Sequence, residues 1–248
     1  MLRRRPQDLT LCLPLPAADP VRKPPQKFLL YYITDRLQFP GTARAQIERL
    51  LEKITECASA GIDLIQLREK DLTTRELEAL ATRAVAAIPA GSFSRLLISS
   101  RIDVAIACGA HGVHLPANSL SPSEARSIFA RVGISAPVIA ISTHADSEVK
   151  SAESHGADFA VFGPIFGKAG VASPSGLAHL AAVSGRVQTS SSPLPVLALG
   201  GVTLEKAPAC LEAGAAGVAG IRLFQDGNAH HTIRRLRALA NAGAAARG

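Results

Sequence analysis

Gln66, Arg68 and Lys70 place an amide, a guanidinium and an ammonium at alternate positions of one short segment. The apolar run before them, Ile62 to Leu67, has strand character. In extended backbone, side chains at i, i+2 and i+4 project from one face. The three groups can therefore converge on one ligand from the carboxyl end of a strand. Two cations and an amide donor suit an anionic, oxygen-rich group such as phosphate or diphosphate. A strand running into an exposed charged loop is the competing reading of the same residues.

A site of this kind depends on the elements that carry it. From Phe28 onward strand-like runs alternate with helix-like ones. The strands are read at Phe28–Thr34, Ile62–Leu67, Arg95–Ser99, Gly112–Leu115, Pro137–Ser142, Asp158–Gly163, Pro195–Leu199 and Gly217–Ile221. Amphipathic stretches lie between them, including Ala43–Ser59, Thr74–Ala87, Ala145–His155 and Leu204–Glu212. Such alternation with short loops implies βαβ units and a parallel sheet. Four helix-to-strand junctions also look alike: Ala60-Gly61-Ile62-Asp63, Cys108-Gly109-Ala110-His111, His155-Gly156-Ala157-Asp158 and Ala213-Gly214-Ala215-Ala216. Each puts glycine where a helix end needs a left-handed residue. Their recurrence at every second strand fits a single-domain (βα)8 TIM barrel built from quarter repeats. An open doubly wound sheet also alternates, but no GxGxxG follows the first strand.

In a (βα)8 barrel chemistry sits at the carboxyl ends of the strands. Those exits read Thr34-Asp35-Arg36, then Gln66 to Lys70, Ser99-Ser100-Arg101, His114-Leu115-Pro116, Ser142-Thr143-His144, Gly163-Pro164-Ile165-Phe166, Gly200-Gly201 and Gly220-Ile221-Arg222. Loops after strands seven and eight commonly bind phosphate through backbone N–H groups. Gly200-Gly201 allows close approach of the backbone, and Arg222 adds charge. His144 is the acid/base candidate, because imidazole titrates near neutrality. A helix-start residue bonded to backbone is its alternative reading. His114, alternating with Val113, is expected to point into the barrel in a structural role. His230-His231 is expected to face solvent. No HExxH or Cys/His cluster supports zinc.

The bulk properties narrow the classes. The 248 residues are 47% hydrophobic, enough for one sizeable core, and the formal charge is +7. Six cations (Arg3, Arg4, Arg5, Arg22, Lys23, Lys27) stand against Asp8 and Asp19 within residues 1–27. The remainder is closer to neutral and has no aromatic-plus-basic stripe, which disfavours nucleic acid. Residues 1–26 are read as a basic, Pro-rich disordered tail, 27–242 as the barrel, and 243–248 as a flexible tail. The apolar run Thr10–Leu15 is broken by Pro14 and too short for a signal peptide, and no segment reaches membrane-span length. Cys12, Cys57, Cys108 and Cys210 are scattered without CxxC spacing, suggesting a reducing, cytoplasmic setting. Apolar helix faces leave room for a homodimer.

These residues resemble the thiamine phosphate synthase/TenI family of (βα)8 barrels over nearly all of Phe28–Leu236. Seven motifs fall in family order: Tyr32-Ile33-Thr34-Asp35, Gln66-Leu67-Arg68-Glu69-Lys70, Arg101-Ile102-Asp103-Val104-Ala105, Gly112-Val113-His114-Leu115, Ser142-Thr143-His144, Gly163-Pro164-Ile165-Phe166 and Leu199-Gly200-Gly201-Val202. The resemblance implies that Gln66, Arg68 and Lys70 match residues holding a hydroxymethylpyrimidine diphosphate. It implies a thiazole phosphate pocket at Gly201 and Ile221–Arg222. The synthase joins the two substrates and releases diphosphate. The TenI branch contains thiazole tautomerases, in which His144 would match the acid/base.

Several residues depart from the synthase pattern. Ser99-Ser100 stands where Asn-Asp is usual, and Ser119 aligns with a second expected aspartate, so both expected Mg²⁺ positions, Ser100 and Ser119, lack a carboxylate. Asp35 or Asp103 could supply one oxygen. Gly167-Lys168-Ala169-Gly170 replaces a Thr-x-Thr-Lys stretch, with Lys168 able to stand in for the family lysine, and Arg222 replaces a serine. The expectation is therefore a metal-independent, TenI-like tautomerase with no cofactor and a small thiazole phosphate as partner. The synthase, with Mg²⁺, is the first alternative, and a non-catalytic binding relative is the second.

Overall fold

The structure, a computed structural model, describes residues 28–167, 176–188 and 193–245. Eight strands close in sequence order into a barrel: β1 Leu29–Ile33, β2 Leu64–Leu67, β3 Arg95–Ser99, β4 Gly112–Leu115, β5 Val138–Thr143, β6 Phe159–Phe162, β7 Val196–Leu199 and β8 Gly217–Gly220. All neighbours are parallel, and β1 pairs with β8 through Tyr31 opposite Ala219. Helices α1 Ala43–Ser59, α2 Thr74–Ala87, α3 Ile102–Cys108, α4 Pro122–Arg131, α5 Asp146–Ser154, α6 Gly176–Gln188, α7 Ala207–Glu212, α8 Arg222–Gln225 and α9 Ala229–Ala245 surround it. No described helix is long and apolar enough to cross a membrane.

The helices form where the sequence caps them. Thr73 and Glu76 make a reciprocal capping box at α2, and Ser121 and Glu124 make another at α4, where Pro122 opens the first turn. α1 buries Leu50, Ile54 and Cys57, spaced i, i+4, i+7 along one stripe. Strand alternation sorts the remaining apolar residues into two layers. Tyr31, Ile33, Leu64, Leu97, Ala140, Val161, Leu197 and Ala219 fill the barrel. Tyr32, Ile65, Leu67, Leu96, Ile98, Val113, Ile139 and Phe162 pack outward under the helices.

The quarter repeat has a physical signature at the amino end of the barrel. Gly61, Gly109, Gly156 and Gly214 all have positive φ, as the repeated junctions require. Two residues beyond three of these glycines, a side chain accepts a backbone N–H from the preceding strand. Asp63 takes that of Leu30 at 2.7 Å, His111 that of Leu96 at 3.1 Å and Asp158 that of Ile139 at 2.7 Å. In the fourth repeat the position is Ala216, which has no such acceptor. Arg237 and Arg126 pair with Asp63 and Asp158.

α9 runs to Ala245, past the barrel boundary read at 242, and its alanines favour helix. The tail 1–26 and Cys12 lie outside the described residues. Cys57, Cys108 and Cys210 are buried free thiols on helices.

Candidate active site

At the exit of β2 the alternation separates two kinds of polar group. Gln66 follows Leu64 on the inner face and is 3% exposed. Its amide makes no side-chain hydrogen bond among the described residues. Arg68, next on that face, is half-buried and has no carboxylate partner among the described residues. Lys70 is exposed in the turn that follows. Glu69 lies on the opposite face, buried. It accepts from Thr34 Oγ1 at 2.6 Å, from the Arg36 backbone N–H and from Arg36 Nη1 at 3.1 Å. Arg36 also forks onto Asp71 at 2.6 and 2.5 Å. Thr34 closes the loop by accepting the Arg68 backbone N–H at 3.0 Å. Burial raises the Glu69 carboxyl, whereas the hydrogen bond to Arg36 holds Asp71 below the ordinary range. The network joins the β1 and β2 exits and fixes the backbone that presents Arg68.

Two histidines sit above the neighbouring strands. His114 points into the barrel, as its alternation with Val113 predicts, and is buried. Its Nδ1 lies 2.9 Å from Tyr31 Oη and its Nε2 2.8 Å from Ser142 Oγ. Burial, with Arg68 adding to it, pushes its pKa down to about 3, so the ring is neutral near pH 7. His144 is exposed and follows β5 directly. Its Nδ1 is 2.5 Å from the Gly163 carbonyl, which can only accept. Nδ1 therefore carries a proton, and in the neutral tautomer Nε2 is a lone pair without a described partner. Such a neutral ring could accept a proton at Nε2, and its backbone bond is the one named in the alternative reading. His230 and His231 are exposed, as expected.

Across the mouth, the β6 and β7 exits are laced together. Ile165 N–H donates to Leu199 O at 2.8 Å and Phe166 N–H to Gly200 O at 3.0 Å. A Cβ on Gly200 would come within 2.6 Å of Pro164 Cβ, and one on Gly201 within 2.9 Å of Phe166 Cβ. Both glycines also have positive φ. Their type is thus forced by local packing as well as permitting access by a ligand. The backbone N–H groups of Gly201, Ile221 and Arg222 have no partner among the described residues, a set of donors suited to an anion. α8 is tied to the β1 exit by Gln225, which accepts from Tyr32 Oη at 2.8 Å and donates to Asp35 O at 2.8 Å. Arg222 is exposed and, among the described residues, makes only a long 3.4 Å side-chain bond to Gln38. Lys168 lies outside the described residues.

A family profile described as thiamine monophosphate synthase matches residues 30–224, from β1 through α8. The chain belongs to the thiamine phosphate synthase/TenI family. It is 39% identical over 197 residues to a protein of Aquifex aeolicus named putative thiamine-phosphate synthase 2, covering 79% of this chain and 96% of that one. A putative thiamine-phosphate synthase of Geobacter sulfurreducens is 38% identical over 216 residues, covering 86% of this chain and 94% of the relative. Among solved structures, a thiamine phosphate pyrophosphorylase from Pyrococcus furiosus superposes with a TM-score of 0.71 at 26% identity, covering 88% and 98% of the two chains.

The family implies Mg²⁺, and the expected corner can be tested by its donors. Ser100 is exposed, with φ of 62°, and its N–H donates to His114 O at 2.9 Å. Ser119 donates its hydroxyl to Pro116 O at 2.9 Å. Asp103 is held by Arg101 through two bonds of 2.9 and 2.5 Å, and Asp35 accepts from Gln38 at 2.7 Å. No group of three or more His, Cys, Asp or Glu suited to a metal occurs among the described residues. A hard dication wants anionic oxygen, and this corner offers neutral hydroxyls. These residues do not fit Mg²⁺.

The sequence pointed to Gln66 and Arg68 and placed Arg36 at the β1 exit, but not the pairing of Arg36 with Glu69 that anchors them. The one available signal was a carboxylate out of phase with the three donors. It also gave His114 only a structural role, without the Tyr31 and Ser142 bonds.

Proposed function

We propose that this chain acts in thiamine biosynthesis by joining hydroxymethylpyrimidine diphosphate to thiazole phosphate with release of diphosphate. This departs from the tautomerase expectation, and the names of the relatives support the change. The observation that carries it is the β2 exit. Among the described residues, Gln66 and Arg68 remain without side-chain partners there, beside Lys70 and across the mouth from a second set of N–H donors that have no described partner. Two anion sites suit two phosphorylated substrates. In this reading Gly201, Ile221 and Arg222 hold the thiazole phosphate through backbone N–H groups. Gln66, Arg68 and Lys70 hold the diphosphate and meet the charge that develops as it leaves. Lys168 is proposed to add a cation from the β6 loop. No step is assigned to a metal.

A second reading rests on a specific observation, the free Nε2 of His144 together with the serines at positions 100 and 119. It makes the chain a thiazole tautomerase in which His144 moves the proton. Incubation of the purified protein with both substrates, followed by product and diphosphate release, separates the two. Product formation that persists in His144→Ala supports joining. Absence of product at high enzyme concentration, with His144-dependent aromatisation of the thiazole carboxylate phosphate, supports the tautomerase. Binding of thiazole phosphate without turnover in either assay would identify a non-catalytic relative.

A further inference from the structure

Among the apolar residues that fill the barrel runs one connected line of polar groups, Tyr31, His114 and Ser142. Tyr31 is fully buried among Phe159, Ala140 and Ala219. Its ring stacks on His114 with centroids 5.7 Å apart and planes 19° apart, and meets Phe159 edge-on at 5.3 Å. These contacts hold both rings in place. Leucine or valine would fill the same volume without desolvating a phenol and an imidazole. The polar line therefore calls for a reason beyond packing.

Its direction can be worked out from the donors. Tyr31 Oη has one polar neighbour among the described residues, His114 Nδ1 at 2.9 Å. If Nδ1 carried a proton and donated, the phenol proton would be buried with no acceptor, which costs most of a hydrogen bond. The phenol therefore donates and Nδ1 accepts. A neutral imidazole then carries its proton on Nε2. That N–H donates to Ser142 Oγ at 2.8 Å. The Ser142 hydroxyl has no other side-chain partner among the described residues, so its own proton is left to donate elsewhere. Ser142 is half-buried near the carboxyl end of β5, two residues before His144. It shares the mouth with Arg68, close enough to His114 to depress its basicity.

We infer that Tyr31 and His114 are positioning residues that fix Ser142 as a one-way hydrogen-bond donor to an anionic oxygen of the ligand at the barrel mouth. The relay rests on the proposed reading only for the identity of that oxygen, as part of a diphosphate. Its direction follows from the geometry alone.

Nitrogen-15 NMR of histidine-labelled protein tests the direction. His114 is expected to show a protonated Nε2 and a bare Nδ1 from pH 8 to pH 5. A protonated Nδ1 would overturn the relay, and this readout needs no variant to fold. Calorimetry with inorganic diphosphate tests the function. Ser142→Ala and Tyr31→Phe are each expected to weaken binding threefold to tenfold. The double variant should be no weaker than Ser142→Ala alone, because both act through one hydroxyl. Effects that multiply, or no effect of Ser142→Ala, would overturn the proposal. Failure of the joining reaction itself would appear as missing product in the turnover assay, with the tautomer and the non-additivity unchanged.

Discussion

The β2 exit and the Ser100/Ser119 corner lie on neighbouring parts of one barrel mouth and are built in opposite ways. At β2, charged and amide groups stand without partners among the described residues, and a buried network of Thr34, Arg36, Glu69 and Asp71 holds the chain that presents them. At the corner, the Ser119 hydroxyl and the Asp103 carboxylate are already engaged. Ser119 bonds its own loop, and Asp103 is neutralised by Arg101. Unsatisfied donors anchored on a rigid base are available to a ligand. Hydroxyls and carboxylates satisfied locally are not. The contrast favours the proposed placement of the chemistry at β2 and across at β7 and β8, away from the corner where the family would hold a metal.

The contrast can be broken most directly at Arg68. Arg68→Ala removes the cation proposed to meet the leaving diphosphate and should lower turnover about 10²–10³-fold; steady-state product formation reads this. A loss under threefold would mean that β2 is an exposed charged exit only. Next comes the base of the clamp. Glu69→Ala strips one partner from a buried ion pair and should destabilise the fold by about 3 kcal/mol in urea denaturation. A change under about 1 kcal/mol would show that Asp71 alone suffices to hold Arg36.

A smaller effect concerns pH. His114 stays neutral in the folded chain down to about pH 3, against 6.5 when unfolded. Its folded pKa is depressed, so the unfolded state binds the extra proton first. The stability is therefore present above pH 6.5 and is lost as pH falls from there towards 3. Relative to His114→Gln, the protein should lose about 2 kcal/mol between pH 8 and pH 5. Parallel profiles for the two proteins would contradict the neutral assignment. The smallest expected change restores the corner. Ser100 already has the left-handed backbone that aspartate tolerates. Ser100→Asp with Ser119→Asp should tighten diphosphate binding about tenfold in Mg²⁺ and leave it unchanged in chelator. No difference between the two conditions would show that other groups decide metal use.

Much of the framework was legible because it is periodic and local. Arg95–Ser99, Gly112–Leu115, Ala43–Ser59 and Thr74–Ala87 form as read, since alternation and capping residues act over a few positions. The left-handed glycines at 61, 109, 156 and 214 were readable for the same reason. Contacts across the barrel were not. Glu69 meets Arg36 at a sequence separation of 33, and Tyr31 meets His114 at 83. Nothing in the local pattern marks such partners; closure of the sheet creates them. The anchoring of Arg68 and the neutral state of His114 therefore became visible only in three dimensions.

The central claim is that the β2 exit binds an anion through its own side chains. Titration calorimetry of inorganic diphosphate into the protein, in chelator, with Arg68→Ala in parallel, tests it. The account predicts binding without metal and at least tenfold weakening in the variant. Binding that appears only with Mg²⁺, or equal affinity in both proteins, would contradict it.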